Sequence, residues 1–304
     1  MRPLVVIILV NWNGRTDTLE CLESLHNLDY PNYKVVVVDN GSTDGAVDDI
    51  RSRYGWVQVV EAGENLGFVG GNNYGMDYAL SEQADYIFLL NNDTVVAPES
   101  LGNLVEAVEM DRTIGVAGPL IFYHSEPETI WSAGGEINWE SGDSCMVGID
   151  QVDRRQFGEQ PYSVDFLTGC ALLLPAEVVK KVGKLDPRFF AYYEDTEWSL
   201  RIAKAGYKVM VVPQAKIWHK ITKQARETTP RVHYYMCRNR LLFLKLYKAS
   251  FSAWVHTLVL DYARTFIAWT IRPKYRGKVK QREALVRAVM DYFAGRFGRS
   301  AQWG

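Results

Sequence analysis

Three short apolar runs in the first hundred residues, 4–10 (LVVIILV), 33–38 (YKVVVV) and 86–90 (YIFLL), each break straight into a cluster of Asn, Asp and Gly. The clusters are Asn11-Trp12-Asn13-Gly14, Asp39-Asn40-Gly41-Ser42-Thr43-Asp44-Gly45 and Asn91-Asn92-Asp93. Val- and Ile-rich runs without alternation suit parallel strands buried on both faces. In an open α/β sheet the ligand crevice lies at the carboxyl ends of such strands. Three neighbouring strand ends bearing amides and carboxylates therefore predict one polar ligand held across them.

The segments between the runs complete the pattern. Apolar or small residues at helical spacing predict a helix over 16–25, closed by Tyr30-Pro31 before the second strand. Ser42, Thr43 and Asp44 offer N-caps for a helix ending near residue 54, residues 57–61 read as a strand, and 72–80 as a helix leading into the strand at 86. The order β-α-β-α-β-α-β predicts a mostly parallel sheet with helices on both faces. A helix over 101–110 and a strand over 115–122 continue it. From 131 to 162, Gly, Ser, Asp and scattered aromatics predict a covering loop or hairpin. Residues 164–174 read as a strand interrupted by Gly169, 176–182 as a short helix, 197–205 as a helix closed by Gly206, and 207–212 as the last strand. Beyond about 218 the pattern is helical and basic.

At 304 residues, 47% hydrophobic and 23% charged, the chain has room for one large α/β domain with an appendage, or for two domains, and its composition excludes a disordered chain. Cys21, Cys145, Cys170 and Cys237 form no Cys-x-x-Cys pair, which suggests neither a disulfide framework nor a zinc site and fits a reducing cytoplasm. Charge is strongly divided. Residues 1–200 hold 12 of the 34 Lys and Arg against 32 of the 36 Asp and Glu, and residues 201–304 hold the other 22 against 4. Such a split points the basic end at an anionic membrane or nucleic acid, or seats basic helices on an acidic domain of the same chain. Met1-Arg2-Pro3 and the first run resemble the start of a signal peptide, but no small-residue cleavage site follows and strand is the reading. Residues 241–271 are interrupted by Lys245, Lys248, Asp261 and Arg264, leaving no uncharged run near the ~18 to 20 residues of a spanning helix.

Three segments offer chemistry. The Gly-rich stretch Asn65-Leu66-Gly67-Phe68-Val69-Gly70-Gly71-Asn72-Asn73 lacks the endings of a P-loop or a Rossmann turn, so it points to neither an NTPase nor a dehydrogenase. Glycines ahead of a helix let an anionic ligand approach the backbone, and a plain structural turn fits the same residues. Asn91-Asn92-Asp93 suits a hard divalent cation shared with a diphosphate, and equally a turn in which Asn and Asp bond their own backbone. Glu194 and Asp195 follow four aromatics, Phe189, Phe190, Tyr192 and Tyr193. A carboxylate against apolar walls acquires the raised pKa of a general base. Glu197 and Arg201 have the i,i+4 spacing of a helix surface pair.

Five motifs together resemble glycosyltransferase family 2, in its rhamnosyltransferase-like branch. They are Val10-Asn11-Trp12-Asn13-Gly14, Asp39-Asn40-Gly41-Ser42-Thr43-Asp44-Gly45, Asn65-x-Gly67-Phe68 with Gly70-Gly71-Asn72-Asn73, Asn91-Asn92-Asp93, and Phe189-Phe190-x-Tyr192-x-Glu194-Asp195 with Trp198 and Arg201. They stand in family order and spacing from residue 4 to about 220. The resemblance implies a GT-A fold, an α/β Rossmann-like and mostly parallel sheet, as a catalytic domain over 1–220 followed by a basic, aromatic-rich helical extension over 221–304. It also implies inverting transfer of a sugar from a nucleotide diphosphate donor.

By position, the resemblance puts Asn11, Trp12 and Asn13 at the nucleotide and Asp39 against the pyrimidine ring N–H, with Asn40 and Ser42 beside it. Asn65, Gly67, Phe68 and Asn72 border the donor, and Asn91 and Asn92 lie against its sugar or ribose. Asp93 matches the last residue of the family's DxD-type metal motif, implying Mg2+ or Mn2+. Asn91 departs from the Asp often first in that motif, which leaves the number of protein ligands open. His219 matches a histidine that GT-A enzymes place near metal or phosphate, and an ordinary packed histidine fits it too. Asp195 matches the Asp of the xED motif, the base that deprotonates the acceptor hydroxyl, while Glu194 orients the loop or contacts the acceptor. Thr168, Gly169, Cys170 and Tyr192 border the acceptor side. Trp198 and Arg201 read as structural, Trp198 with an alternative place on the acceptor side.

Tyr234-Tyr235-x-x-Arg238-Asn239-Arg240 resembles the same branch. After residue 250, Trp254, Tyr262, Trp269, Tyr275 and Trp303 are interleaved with ten Lys or Arg. That mix suits helices lying on an anionic bilayer, and a homodimer interface is the other reading. No nucleic-acid-binding module is present in the sequence. The expectation is a cytoplasmic enzyme, peripheral on the inner face of the cell membrane, that moves a sugar, with L-rhamnose from dTDP-rhamnose the first candidate, to a polyprenyl-linked or growing polysaccharide acceptor. The alternatives are a UDP-GlcNAc, UDP-galactose or UDP-GalNAc donor, or a non-catalytic sugar-nucleotide-binding scaffold. A nucleotidyltransferase is disfavoured because no Lys/Arg-rich phosphate loop precedes the first helix.

Overall fold

The structure is a computed structural model that describes residues 2–222 and 229–303. The Val- and Ile-rich runs form the strands they predict: β1 (Val5–Asn11), β2 (Tyr33–Asp39), β3 (Val57–Glu61) and β4 (Tyr86–Asn91) lie parallel in the order β3-β2-β1-β4. The chain then adds β5 (Thr94–Val96), β6 (Ile114–Tyr123), β7 (Glu126–Ser132), a separate hairpin of β8 (Gly135–Asn138) and β9 (Asp143–Met146), then β10 (Tyr162–Ser163), β11 (Ala171–Pro175) and β12 (Lys208–His219). The main sheet runs β10-β12-β6-β11-β4-β1-β2-β3, with β5 paired to β12 and β7 to β6. Within it β11 is antiparallel to both neighbours, while β6 and β12 are parallel.

Successive side chains of a strand point to opposite faces, and each face of this sheet has its own helical layer. Val6, Ile8, Val36 and Val38 pack in a core with α3 (Gly67–Ser81), α5 (Ala176–Val182) and α6 (Glu194–Lys204). Val5, Ile7, Leu9, Val35 and Val37 pack in a second core with α1 (Arg15–His26), α2 (Ala46–Arg53) and α4 (Ser100–Met110). Val5 through Leu9 are fully buried. Each such side chain stabilises the fold by about 1.5–3 kcal/mol, so β1 anchors both layers.

The Gly-rich stretch lies inside α3, which begins at Gly67 instead of near residue 72. Its glycines serve packing. A Cβ at Gly71 would lie 2.6 Å from Val10 Cγ1, and one at Gly75 only 2.3 Å from Ile8 Cγ2, so bare backbone is what brings this helix onto β1. Residues 164–170 are not strand, and the expected long strand shrinks to β11. Conversely β12 runs seven residues past Val212, to His219, because a register shift between Val212 and Lys216 absorbs Pro213, which has no N–H to donate. The helix expected at 197 starts at Glu194.

Past β12 come α7 (Pro230–Leu246), α8 (Phe251–Val255), a π-helical stretch His256–Ala263, α9 (Arg264–Ile271), a 3-10 turn Pro273–Lys278 and α10 (Val279–Phe293). These helices are joined to the sheet layer: Leu242, Phe243, Leu244 and Ala253 belong to the same core as α3 and α6. A smaller core of Tyr234, Tyr235, Leu241, Tyr262, Ala284, Leu285 and Ala288 closes over Phe190. Among the described residues, no helix is long and apolar enough to cross a membrane.

Candidate active site

The carboxyl ends of β1, β2 and β4 meet in one hydrogen-bonded network. Asn11, wholly buried, donates from Nδ2 to Asp39 Oδ1 (2.8 Å) and Ser42 Oγ (3.0 Å), and its Oδ1 accepts from Thr18 Oγ1 (2.8 Å). Asp39 Oδ2 accepts from the Ser42 backbone N–H (2.9 Å), and Asn92 Nδ2 donates to Thr18 Oγ1 (2.8 Å), tying β4 to the other two strand ends. Asn13, at φ 52°, accepts the Thr43 N–H. Asn11 is thus a hub that orders the polar turns, while Trp12 and Asn13 are exposed above it. Asn40 is buried and donates to the Gly67 carbonyl, Asn65 accepts the Gly67 N–H, and Asn72 is buried and bonded to the Phe68 carbonyl.

Next to this network a cavity of about 680 Å³ opens between the end of β4, the start of β11, α6 and the end of β12. Asp93 and His219 face each other in it, with Asp93 Oδ1 3.1 Å from His219 Nε2. β12 pairs with β5 so that His219 lies opposite Thr94, which is why the bulge matters: without it the strand would end short of the site. Burial opposes charge on His219, but Cys170 and the Asp93 carboxylate offset it and raise the imidazole, while Asp93 is lowered by the same contact against its own desolvation. Asp93 Oδ1 and His219 Nδ1 are buried atoms that no hydrogen bond of the described residues satisfies.

That donor set fits a divalent cation. Asp93 Oδ1 and His219 Nε2 form an ion pair when the imidazole is protonated, and a cation would take the place of that proton; no cluster of three or more His, Cys, Asp or Glu able to hold a metal occurs among the described residues. A cation held by these two side chains would keep most of its coordination shell for other ligands.

In the same cavity, Asp195 stands half-buried in the first turn of α6. Its Oδ2 accepts the Gly169 N–H (2.8 Å) and its Oδ1 the Thr196 N–H (2.7 Å). Burial pushes its carboxyl above the ordinary aspartate value, and those hydrogen bonds oppose the rise. Glu194 is buried, its Oε2 has no partner among the described residues, and burial reinforced by the Asp195 charge holds it well above the usual carboxylate range. The approach to Asp195 is unusual backbone: Phe190, Tyr192 and Tyr193 all have positive φ, at 66°, 68° and 71°. Each such non-glycine residue costs on the order of 1–3 kcal/mol unless its surroundings enforce it.

The cavity therefore unites Phe68, Asn91, Asp93, Thr168, Gly169, Cys170, Tyr192, Glu194, Asp195 and His219 from five parts of the chain. Asn11, Trp12, Asn13, Asp39, Asn40, Ser42, Asn65, Gly67, Asn72 and Asn92 lie along the adjoining strand ends and the start of α3, outside its lining. Trp198 lies outside the cavity lining: it is buried and its Nε1 donates to the Gly183 carbonyl, which makes it a brace between α5 and α6. The lining also includes Trp131, Met146, Phe166 and Met236, which local sequence pattern does not single out. These come from β7, β9, the irregular run before β11, and α7, and only the tertiary fold assembles them.

A family model described as Glycosyl transferase family 2 matches residues 6–183. Over 241 residues, covering 72% of this chain and 76% of the relative, the chain is 26% identical to the N-acetylglucosaminyl-diphospho-decaprenol L-rhamnosyltransferase of Mycobacterium tuberculosis. It is 22% identical to the dTDP-rhamnosyl transferase RfbF of Shigella flexneri over 97% of both chains. Among solved structures, GalNAc-T7 with UDP, GalNAc and Mn2+ superposes with a TM-score of 0.64 at 16% identity, covering 94% of this chain and 54% of that one. The sheet with its C-terminal helices is thus the fold of GT-A glycosyltransferases.

Proposed function

The chain belongs to glycosyl transferase family 2, and from that premise we propose that it is an inverting transferase that moves L-rhamnose from dTDP-L-rhamnose to a lipid-linked or growing polysaccharide acceptor. The observation that carries the reading is one cavity lined both by a half-buried, hydrogen-bonded Asp195 and by the Asp93–His219 pair. In it Asp195 takes the proton of the acceptor hydroxyl as that oxygen bonds to the anomeric carbon. The bond from carbon to the diphosphate oxygen breaks in the same displacement, and its electron pair leaves with the diphosphate. One displacement from the opposite face inverts the centre. A divalent cation held by Asp93 and His219 would neutralise charge on the leaving diphosphate. The choice of rhamnose rests on the names of the two relatives above.

A panel decides the donor. With N-acetylglucosaminyl-diphospho-polyprenol as acceptor and Mg2+ or Mn2+ present, dTDP-L-rhamnose is expected to raise Tm and to yield dTDP and a longer glycolipid. Turnover with UDP-GlcNAc, UDP-galactose or UDP-GalNAc instead would replace the rhamnose assignment.

A lipid-borne acceptor also explains the far end of the chain. Val259, Leu260, Ile267 and Ile271 are exposed, 53–70% accessible, beside exposed Arg264, Arg272, Lys274 and Arg276. Apolar side chains flanked by cations match the acyl boundary and headgroups of an anionic bilayer, so the reading includes peripheral attachment there. Ile267→Asp combined with Ile271→Asp is expected to lower binding to phosphatidylglycerol vesicles by about tenfold or more, because each buried side chain contributes roughly 1.5–3 kcal/mol. Unchanged co-sedimentation, or wild-type dimers that the same pair of changes dissociates, would assign this face to a second copy of the chain.

A further inference from the structure

The three left-handed residues before Asp195 are held by α7, forty to fifty residues further along the chain. Asn239, with no exposed surface, points Nδ2 at three carbonyls of that segment, those of Phe189, Ala191 and Tyr192, each at 2.8 Å. Beside it the buried guanidinium of Arg238 donates to the carbonyls of Arg188 and Phe189 (both 3.2 Å) and of Gly298 (2.8 Å), while the Gly298 N–H returns to the Arg188 carbonyl. The Phe190 ring stacks on Tyr235 of α7 at 5.2 Å. On its other side that ring fills the space over Gly67, where a Cβ would lie 2.5 Å from Phe190 Cε2. Carbonyls turned inward by positive φ need donors, and α7 supplies them.

We propose that Asn239, backed by Arg238, is a positioning residue that fixes the left-handed backbone of residues 190–193 and so aims the Asp195 carboxylate into the cavity. The C-terminal helices then belong to the catalytic apparatus as well as to any attachment surface. This inference rests on the reading of Asp195 as the base. The side chain touches neither substrate nor the reacting atoms; it acts through the loop, and a misplaced base is enough to slow a reaction strongly.

The test uses the full chain with Asn239→Ala, and Asn239→Ser as a variant that retains one donor. Hydrogen exchange, which needs no ligand, is expected to accelerate at least about tenfold over residues 189–196 in Asn239→Ala and less in Asn239→Ser, with the strands unaffected. With the donor and acceptor that turn over in the panel, kcat is expected to fall roughly 10- to 100-fold while the donor KM stays unchanged, and Asn239→Ser to recover part of the loss. Unchanged exchange in the loop, a change confined to donor KM, or failure of both variants to fold would overturn the proposal. Asp195→Asn is measured alongside. If it keeps full turnover, the base assignment falls; if it is dead while the Asn239 variants run at the wild-type kcat, only the positioning role falls.

Discussion

Asp195→Asn is expected to leave donor binding intact and to cut kcat by about 10²- to 10⁴-fold, the range over which a positioned general base contributes. The amide has the size of the carboxylate and its single oxygen can still accept the Gly169 N–H, while the bond from the Thr196 N–H is given up, so the tie to residue 169 is kept and the proton acceptor is lost. The pH dependence adds a signature. Burial raises the Asp195 carboxyl above the ordinary aspartate range, and the protonated form cannot accept the acceptor's proton. Wild-type kcat/KM for the acceptor should therefore climb with pH through a limb that lies higher than an exposed aspartate would give, and the residual rate of the variant should lack that limb. Calorimetry with the donor and a pH series of product release measure both. Wild-type turnover in the variant would sink the assignment.

The second large effect belongs to Asp93. Asp93→Ala removes the only carboxylate facing His219 Nε2 in this part of the cavity among the described residues. It is expected to lower kcat/KM by about 10²-fold or more, because charge stabilisation at a leaving group is worth several kcal/mol. It should also abolish Mn2+ binding followed by electron paramagnetic resonance, a readout that needs no turnover. EDTA should suppress the wild-type enzyme and added Mn2+ restore it. Full activity in EDTA would remove the metal from the mechanism while leaving the Asp195 step untouched.

The strand ends beside the cavity are legible in the sequence because their signals are local. A buried parallel strand is a run of Val and Ile, its end is marked by Asn, Asp and Gly, and β1, β2 and β4 each carry both marks. Asp195 stands out locally as a carboxylate after four aromatics, but nothing near it in the sequence says that the start of α6 lines the same cavity as the end of β4. Other features escape because the sequence signal points elsewhere. Gly67 to Gly71 reads as a turn ahead of a helix, yet these residues are already helical, and Gly71, with Gly75, lets α3 touch β1. Pro213 reads as a strand end, and a bulge carries β12 past it to His219. Asn239 stands in the sequence only as part of a resemblance motif, between two arginines that read as exposed, and its three acceptors are set by loop dihedrals.

The reversed strand β11 has one more consequence. Because it runs against β4, its beginning lies beside the end of β4, with the Asn91 N–H bonded to the Cys170 carbonyl. The chain that enters it, from His124 to Cys170, is therefore delivered to the mouth of the cavity without threading through the four parallel strands that hold the first half of the site. Lengthening or exchanging that excursion leaves the register of β3-β2-β1-β4 alone. On the function proposed above, a scaffold wired this way can change what it glycosylates while keeping what it takes the sugar from.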